Sequence, residues 1–216
     1  MTRSGFVLEK QYVRTYSVYM AKPSHHGRIV EAGLKVMFRK GYGGAGVRDI
    51  VAEASVPQGS FTNHFRSKEE FAREVLDLYF ADLKRLVAEA LDDADRRPRE
   101  RLRRYLDLIT DRLVEAEFSR GCLIGDFSLE AAPQSEMLRT RLAEIFAEWR
   151  TAFAACIAEG QAAGEIAETF APHDLAEFLL SSWEGAILRM KVERSAEPLE
   201  RFKRIVFMTI FKEPSP

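Results

Sequence analysis

Gln58, Ser60, Thr62 and Asn63 bring neutral amide and hydroxyl groups into one short run, with Gly59 among them. Groups of this kind bond the exposed edges of base pairs in the major groove of a duplex, where each pair shows its own pattern of donors and acceptors. A glycine in the run lets the backbone come close to a partner. Arg48 upstream and Lys68 downstream carry charge suited to phosphate oxygens, which position a protein on a duplex without reading its sequence. His64, at the end of the run, fits either a phosphate contact or packing. Arg48, Gln58, Gly59, Ser60, Thr62, Asn63, His64 and Lys68 are therefore the candidate nucleic-acid contacts.

A second group has the chemistry to sense small molecules. Cys122 lies between Gly121 and Gly125, with Arg120 close by in sequence. A thiolate there would react with electrophiles or oxidants. The alternative is a small buried apolar side chain, the usual role of a free cysteine. Phe118, Phe127, Trp149, Phe153 and Trp183, with Tyr105, are candidates to line an effector site within a helical core. Cys156 falls in an apolar stripe and reads as inert. Catalysis fits poorly: Cys122 as nucleophile with His173 as base lacks an orienting partner and oxyanion donors at a readable spacing. The adjacent pair His25-His26 and the isolated His64 and His173 show no metal-ligand spacing, so no metal and no cofactor is expected.

The elements that must position these residues are helices. Val47, Ile50, Val51 and Ala54 form one apolar stripe at helical spacing. Pro57 ends that helix, since it cannot continue the backbone ladder and pushes the residue before it out of the helical region. A second helix starts near Gln58 with Phe61 and Phe65 turned inward, which leaves the polar run outward. Two short helices joined by a tight turn, with an apolar back and a small polar front, make a helix-turn-helix. Ahead of it, the spacing predicts a helix over 24–40 that Gly41 stops, and Gly43-Gly44-Ala45-Gly46 leads to an N-cap at Gly46. Downstream, Ser67 and Glu70 have capping-box spacing and open a helix to about residue 91. Pro98 opens another to about 117, and 118–127 reads as a short mixed segment leading into 128–132. Long helices follow over 135–163, from Pro172 and from Pro198, with Phe178 and Ile205 among their apolar positions. The expected class is all-α, with an N-terminal extension at 1–20, a three-helix head at 21–66 and a helical bundle at 67–216.

Bulk composition sets limits. The chain has 216 residues, 46% hydrophobic and 30% charged, which suits a folded chain with a sizeable core. It has no apolar run of the length, about 18 residues, that a membrane span needs. Its two cysteines do not make a disulfide framework, so a reducing, cytoplasmic setting is expected. The net charge is −1, but residues 21–70 carry eight basic against five acidic side chains. A basic head on an acidic remainder suits a nucleic-acid module fused to a second domain.

The run IVEAGLKVMFRKGYGGAGVRDIVAEASVPQGSFTNHFRSKEEF closely resembles the DNA-binding domain of the TetR family of repressors, in its Gly41-Tyr42 stop, VRDI opening, Val56 to Gly59 turn and Phe61, His64-Phe65 and Ser67-Lys68-Glu69 positions. RGCLIGDFSLE, the Trp149 helix and SWEGAILRMKVERSAEPLERF resemble a subgroup of that family that includes an acrylate-responsive repressor and is similar to the N-ethylmaleimide-reductase repressor. The resemblance implies a homodimer paired through about 172–192 and 197–212, double-stranded operator DNA as partner, a small-molecule inducer and no membrane. Two recognition helices in successive major grooves would stand about 34–36 Å apart or somewhat more. The sequence departs from the family at Thr62, where a phosphate-contacting Tyr is usual, at Gln58, where Lys is common, and at Gly46, where Ser or Thr is common. Those departures predict weaker or more salt-sensitive anchoring. The alternative they keep open is a ligand-binding helical dimer with little specific DNA affinity.

Overall fold

The computed structural model describes residues 25–212; the extension read at 1–20 lies outside them. Among the described residues the order is α1 (His25–Gly44), α2 (Val47–Ala54), α3 (Gly59–His64), α4 (Lys68–Leu91), α5 (Pro98–Glu115), α6 (Leu123–Glu130), α7 (Glu136–Ala162), α8 (Pro172–Glu193) and α9 (Glu197–Thr209), with no strand. The chain forms two compact units. One holds 25–82 together with Asp126–Arg139, and the other holds Leu83–Gly125 with 140–212. The sequence reading ends the first unit at 66; by contact it runs on through much of α4 and takes in most of α6.

In the first unit, α1 bends at Gly41, whose φ of 70° is a left-handed conformation that favours glycine. The expected stop is there, yet the chain winds one more turn before α2. Gly46 caps α2, and its N–H donates to Asp49 Oδ2 at 3.4 Å. The α2 end closes at Ser55 in a left-handed conformation, with Val56 N–H donating to Val51 O at 3.1 Å. Such a conformation strains a residue with a Cβ. Arg28 holds this corner, donating through Nη2 to Ala54 O at 2.6 Å and to Ser55 O at 3.2 Å. Phe61, Phe65 and Phe71 stack around a common centre at 4.9–5.1 Å between rings and anchor α3 to α4. Gly33 lets the Phe71 ring lie directly on α1, where a Cβ would overlap it. Ser67 Oγ accepts from Glu70 N–H at 3.1 Å, as the capping-box spacing predicts, while the Glu70 carboxylate reaches one residue further back, to Arg66 N–H at 2.8 Å.

In the second unit, Pro98 and Pro172 stand at helix starts as expected. The α7 stripe from Leu138 to Ile157 is buried. Arg101, 8% exposed, holds the end of α4 by donating to Leu91 O at 2.6 Å and pairs with Glu159 on α7. Arg99 closes the last helix, donating to Phe211 O at 2.6 Å and Phe207 O at 3.2 Å. Trp183 on α8 packs on Phe202 of α9 at 5.4 Å. On these two helices Phe178 is 48% exposed and Ile205 54% exposed. Both helices are apolar on more than one face, so helical spacing alone could not say which stripe the single chain buries. The mixed segment is corrected, since Leu123–Glu130 is helical. Its glycine belongs to packing: Glu184 Oε2 lies 2.6 Å from where a Gly125 Cβ would stand.

Candidate nucleic-acid interface and effector region

The polar run of α3 is presented outward on the aromatic floor of Phe61 and Phe65. Gln58, Gly59, Thr62, Asn63 and His64 are exposed and Ser60 is half-buried. No atom lies within 4 Å of a Cβ built on Gly59, so the backbone there is open to close approach. Thr62 has already spent its one hydroxyl proton, donating Oγ1–H to Gly59 O at 3.1 Å, and in this state it can only accept. The His64 ring is exposed on one side and meets His26 edge-on at 5.6 Å, and His26 is anchored by Glu74 at 2.9 Å.

The basic residues of the head divide by what they already hold. Arg39 and Lys35 pair with Glu53 at 2.7 and 3.6 Å, and Lys40 with Asp49 at 2.9 Å, which ties α1 to α2. Glu53 titrates below the ordinary carboxylate range: burial pushes it up, but Arg39 and Lys35 together outweigh that. Asp49 is also lowered, first by its bond to Lys40. Lys68 is half-buried, donates to Gly43 O at 3.3 Å and lies 4.7 Å over the Tyr42 ring. Burial holds its pKa below the ordinary lysine value against the pull of Glu130. These contacts tie Lys68 to the turn ahead of α2. Arg48 and Arg66 are exposed and hold no side-chain ion pair among the described residues.

The effector candidates fall in both units. Phe127 is fully buried in the first unit, 5.5 Å from the Tyr42 ring. Phe118 is half-buried at the end of α5 with φ 57°. Trp183 belongs to the α8–α9 contact. Trp149, Phe153, Tyr105 and Cys122 share the second unit's core, with Phe153 edge-on to Tyr105 at 4.8 Å. Burial chiefly, then Cys122 and Glu184, keep the Tyr105 phenol well above its ordinary pKa. Its hydroxyl and Trp149 Nε1 are buried, and neither makes a hydrogen bond of ordinary geometry. Cys122 is 7% exposed. Cys156, as expected, sits in a closed stripe, its thiol donating to Pro98 O at 3.4 Å. No group of residues that could hold a metal occurs among the described residues.

Residues 29–75 match the model of the bacterial regulatory proteins of the tetR family, and 98–206 that of the tetracyclin repressor-like C-terminal domain. The chain belongs to the TetR family. Among its relatives is the HTH-type transcriptional repressor DhaR of Mycobacterium sp. (strain GP1), 47% identical over 188 residues that span 87% of this chain and 93% of DhaR. The transcriptional regulator AcuR of Cereibacter sphaeroides is 35% identical over 83% of this chain and 82% of its own length. The repressor NemR of Escherichia coli (strain K12) is 27% identical over 80% and 86%. A solved TetR regulatory protein from Rhodobacter sphaeroides superposes with a TM-score of 0.82 at 33% identity, covering 86% of this chain and 98% of that one. The reduced form of E. coli NemR superposes at 0.77 with 26% identity, over 88% and 99%.

The chain is thus a TetR-family transcriptional regulator and not an enzyme. Within the TetR frame, sequence reasoning missed Arg28, Arg66, Glu130 and Glu184. Arg66 was legible as a charge beside the polar run. Arg28, Glu130 and Glu184 carry no local signal, because each acts on a residue far away in sequence. Among the described residues no helix is long and apolar enough to cross a membrane.

Proposed function

We propose that this regulator is a homodimeric repressor that reads a palindromic operator with a pair of α3 helices. The observation that carries this reading is the outward polar face of α3, held on a three-phenylalanine floor and flanked by Arg48 and Arg66. Gln58, Ser60 and Asn63 read base edges, Gly59 allows close approach, and Arg48, Arg66 and His64 meet phosphates. Thr62 contributes as an acceptor or by its methyl group. Lys68 positions the turn and does not anchor the duplex.

Dimerisation is assigned to α8 and α9, residues 172–192 and 197–212. Phe178, Leu188 and Val192 on α8 and Ile205 and Met208 on α9 are 48–77% exposed in the single chain. Their spacing is helical, and Gly185 between them is open enough for a second helix to approach. A large exposed apolar patch marks an interaction surface. The inducer is a small molecule bound in the second unit, or an electrophile or oxidant acting on Cys122. The relation to NemR, solved in a reduced form, supports keeping the thiol route.

Low-salt gel retardation of DNA flanking the chain's own coding region is the test. Sequence-specific retention, lost in an Asn63→Ala variant, is expected. Retention no stronger than on unrelated DNA overturns the reading. Release by electrophile that persists in Cys122→Ser assigns induction to non-covalent binding.

A further inference from the structure

The second unit holds a polar feature that operator binding does not use. The Tyr105 hydroxyl on α5 and Trp149 Nε1 on α7 are buried, the residues being 0% and 3% exposed, and neither makes a hydrogen bond of ordinary geometry. Buried polar groups nearly always have a partner, so two such donors in one place call for one. The tips stand close together, since the indole N–H draws the phenol's titration down. Even with the indole leaning on the phenol oxygen, the phenol proton has no acceptor. Both groups are neutral donors. The indole can only donate, and burial foremost keeps the phenol protonated.

The surroundings narrow the partner. The Phe153 ring stands edge-on at 4.8 Å and supplies an apolar wall. The Glu184 carboxylate presses on Gly125, and Cys122 Cβ lies 3.9 Å from the same point. Glu184 and Arg112 both act on the phenol, Glu184 the more strongly. An anionic ligand would face a carboxylate across a site whose own donors are uncharged.

We propose that Tyr105 and Trp149 are paired donors for an uncharged oxygen acceptor, the carbonyl or hydroxyl oxygen of a small apolar molecule, lodged between α5 and α7. A carbonyl oxygen has two lone pairs and takes both donors; an alcohol takes them and can donate onward to Glu184. Lodging it parts the two tips and so acts on the two helices that carry them. This site rests on the reading of the second unit as the effector domain and names the effector's chemical class.

The test uses the full chain with isotope-labelled tryptophan indoles, the two resonances being assigned with Trp183→Phe. Butanone, butan-2-ol and sodium butyrate are titrated at neutral pH. The expected result is a saturable downfield shift of the Trp149 indole proton with butanone or butan-2-ol, with butyrate at least about tenfold weaker. Tyr105→Phe, which keeps the ring, weakens the uncharged probe by about threefold to tenfold. Saturation transfer from protein to the butanone methyl groups reads the affinity in Trp149→Phe, which is expected to fall by a similar factor, so the second donor decides the case if Tyr105→Phe does not melt cooperatively. Absence of a saturable shift with both uncharged probes, butyrate binding as tightly, or unchanged affinity in the folded variants overturns the proposal. Operator retention is measured separately. Probe binding without operator binding sinks the repressor reading and not the site, and operator binding without probe binding does the reverse.

Discussion

Glu130 Oε2 accepts the backbone N–H of Gly43 at 3.0 Å, which joins the end of α6 to the turn ahead of the helix-turn-helix. Lys68 grips the carbonyl of the same residue at 3.3 Å, so Gly43 is held through both its N–H and its carbonyl. The Glu130 carboxylate also fills the place that a Cβ on Gly41 would occupy. Glu130→Ala is expected to lower stability by about 0.5–1.5 kcal/mol. Gly41→Ala is expected to cost more, about 1–2 kcal/mol for the left-handed backbone alone, with displacement of Glu130 in addition. Urea unfolding checks both; a Gly41→Ala chain as stable as the parent would show that the kink is not needed.

Base reading and phosphate anchoring separate experimentally. Asn63→Ala is expected to cost about 1–3 kcal/mol of specific operator binding while leaving non-specific binding intact. Arg48→Ala is expected to weaken binding to all sequences and to reduce the slope of log affinity against log salt by about 0.9. Titrations at several salt concentrations distinguish the two. Equal effects of Asn63→Ala on specific and non-specific DNA would remove it from the reading face.

Val192, 77% exposed on α8, is the sharpest test of the dimer face. Val192→Glu places a charge where the pairing of two chains would bury it, at a cost of several kcal/mol. Sedimentation is expected to show a folded monomer that no longer retains operator DNA. A dimer of parental strength moves the interface elsewhere.

Acid acts on the head through Asp49 and Glu53, both held below their ordinary values of 3.8 and 4.5. A lowered folded-state pKa gives stability that is complete above the unfolded value and is lost as pH falls through the folded one. The link between α1 and α2 is therefore expected to hold at neutral pH and weaken only in acid below those ordinary values. Glu53→Gln should flatten this acid limb, measured by urea midpoints across pH. An unchanged limb assigns it to other carboxylates.

The Cys156 thiol is pushed up to about 12, first by burial and against the pull of Arg101. A raised thiol pKa gives stability that is present below the unfolded value and lost as pH rises toward the folded one, so this contribution fades only in alkali. Brief maleimide treatment of the native chain near neutral pH should leave Cys156 unmodified, as read by peptide mass. Modification as fast as in the unfolded chain would show the stripe to be open.

The sequence by itself determined the all-α class, the helix-turn-helix with its Phe61 and Phe65 floor, and the helix starts at Pro98 and Pro172. These are local facts: periodicity, caps and proline act within a few residues of where they are read. Only the tertiary structure decided what depends on residues distant in the chain. It buried Phe127 in the first unit, bound Lys68 to Gly43, made Leu123–Glu130 a helix with Glu184 against Gly125, and left Phe178 and Ile205 exposed. It also buried the Tyr105 hydroxyl and the Trp149 indole N–H in one unit. A helix with more than one apolar face does not announce which face its own chain will cover, and a buried charge or donor acquires its role from a partner that spacing cannot reveal.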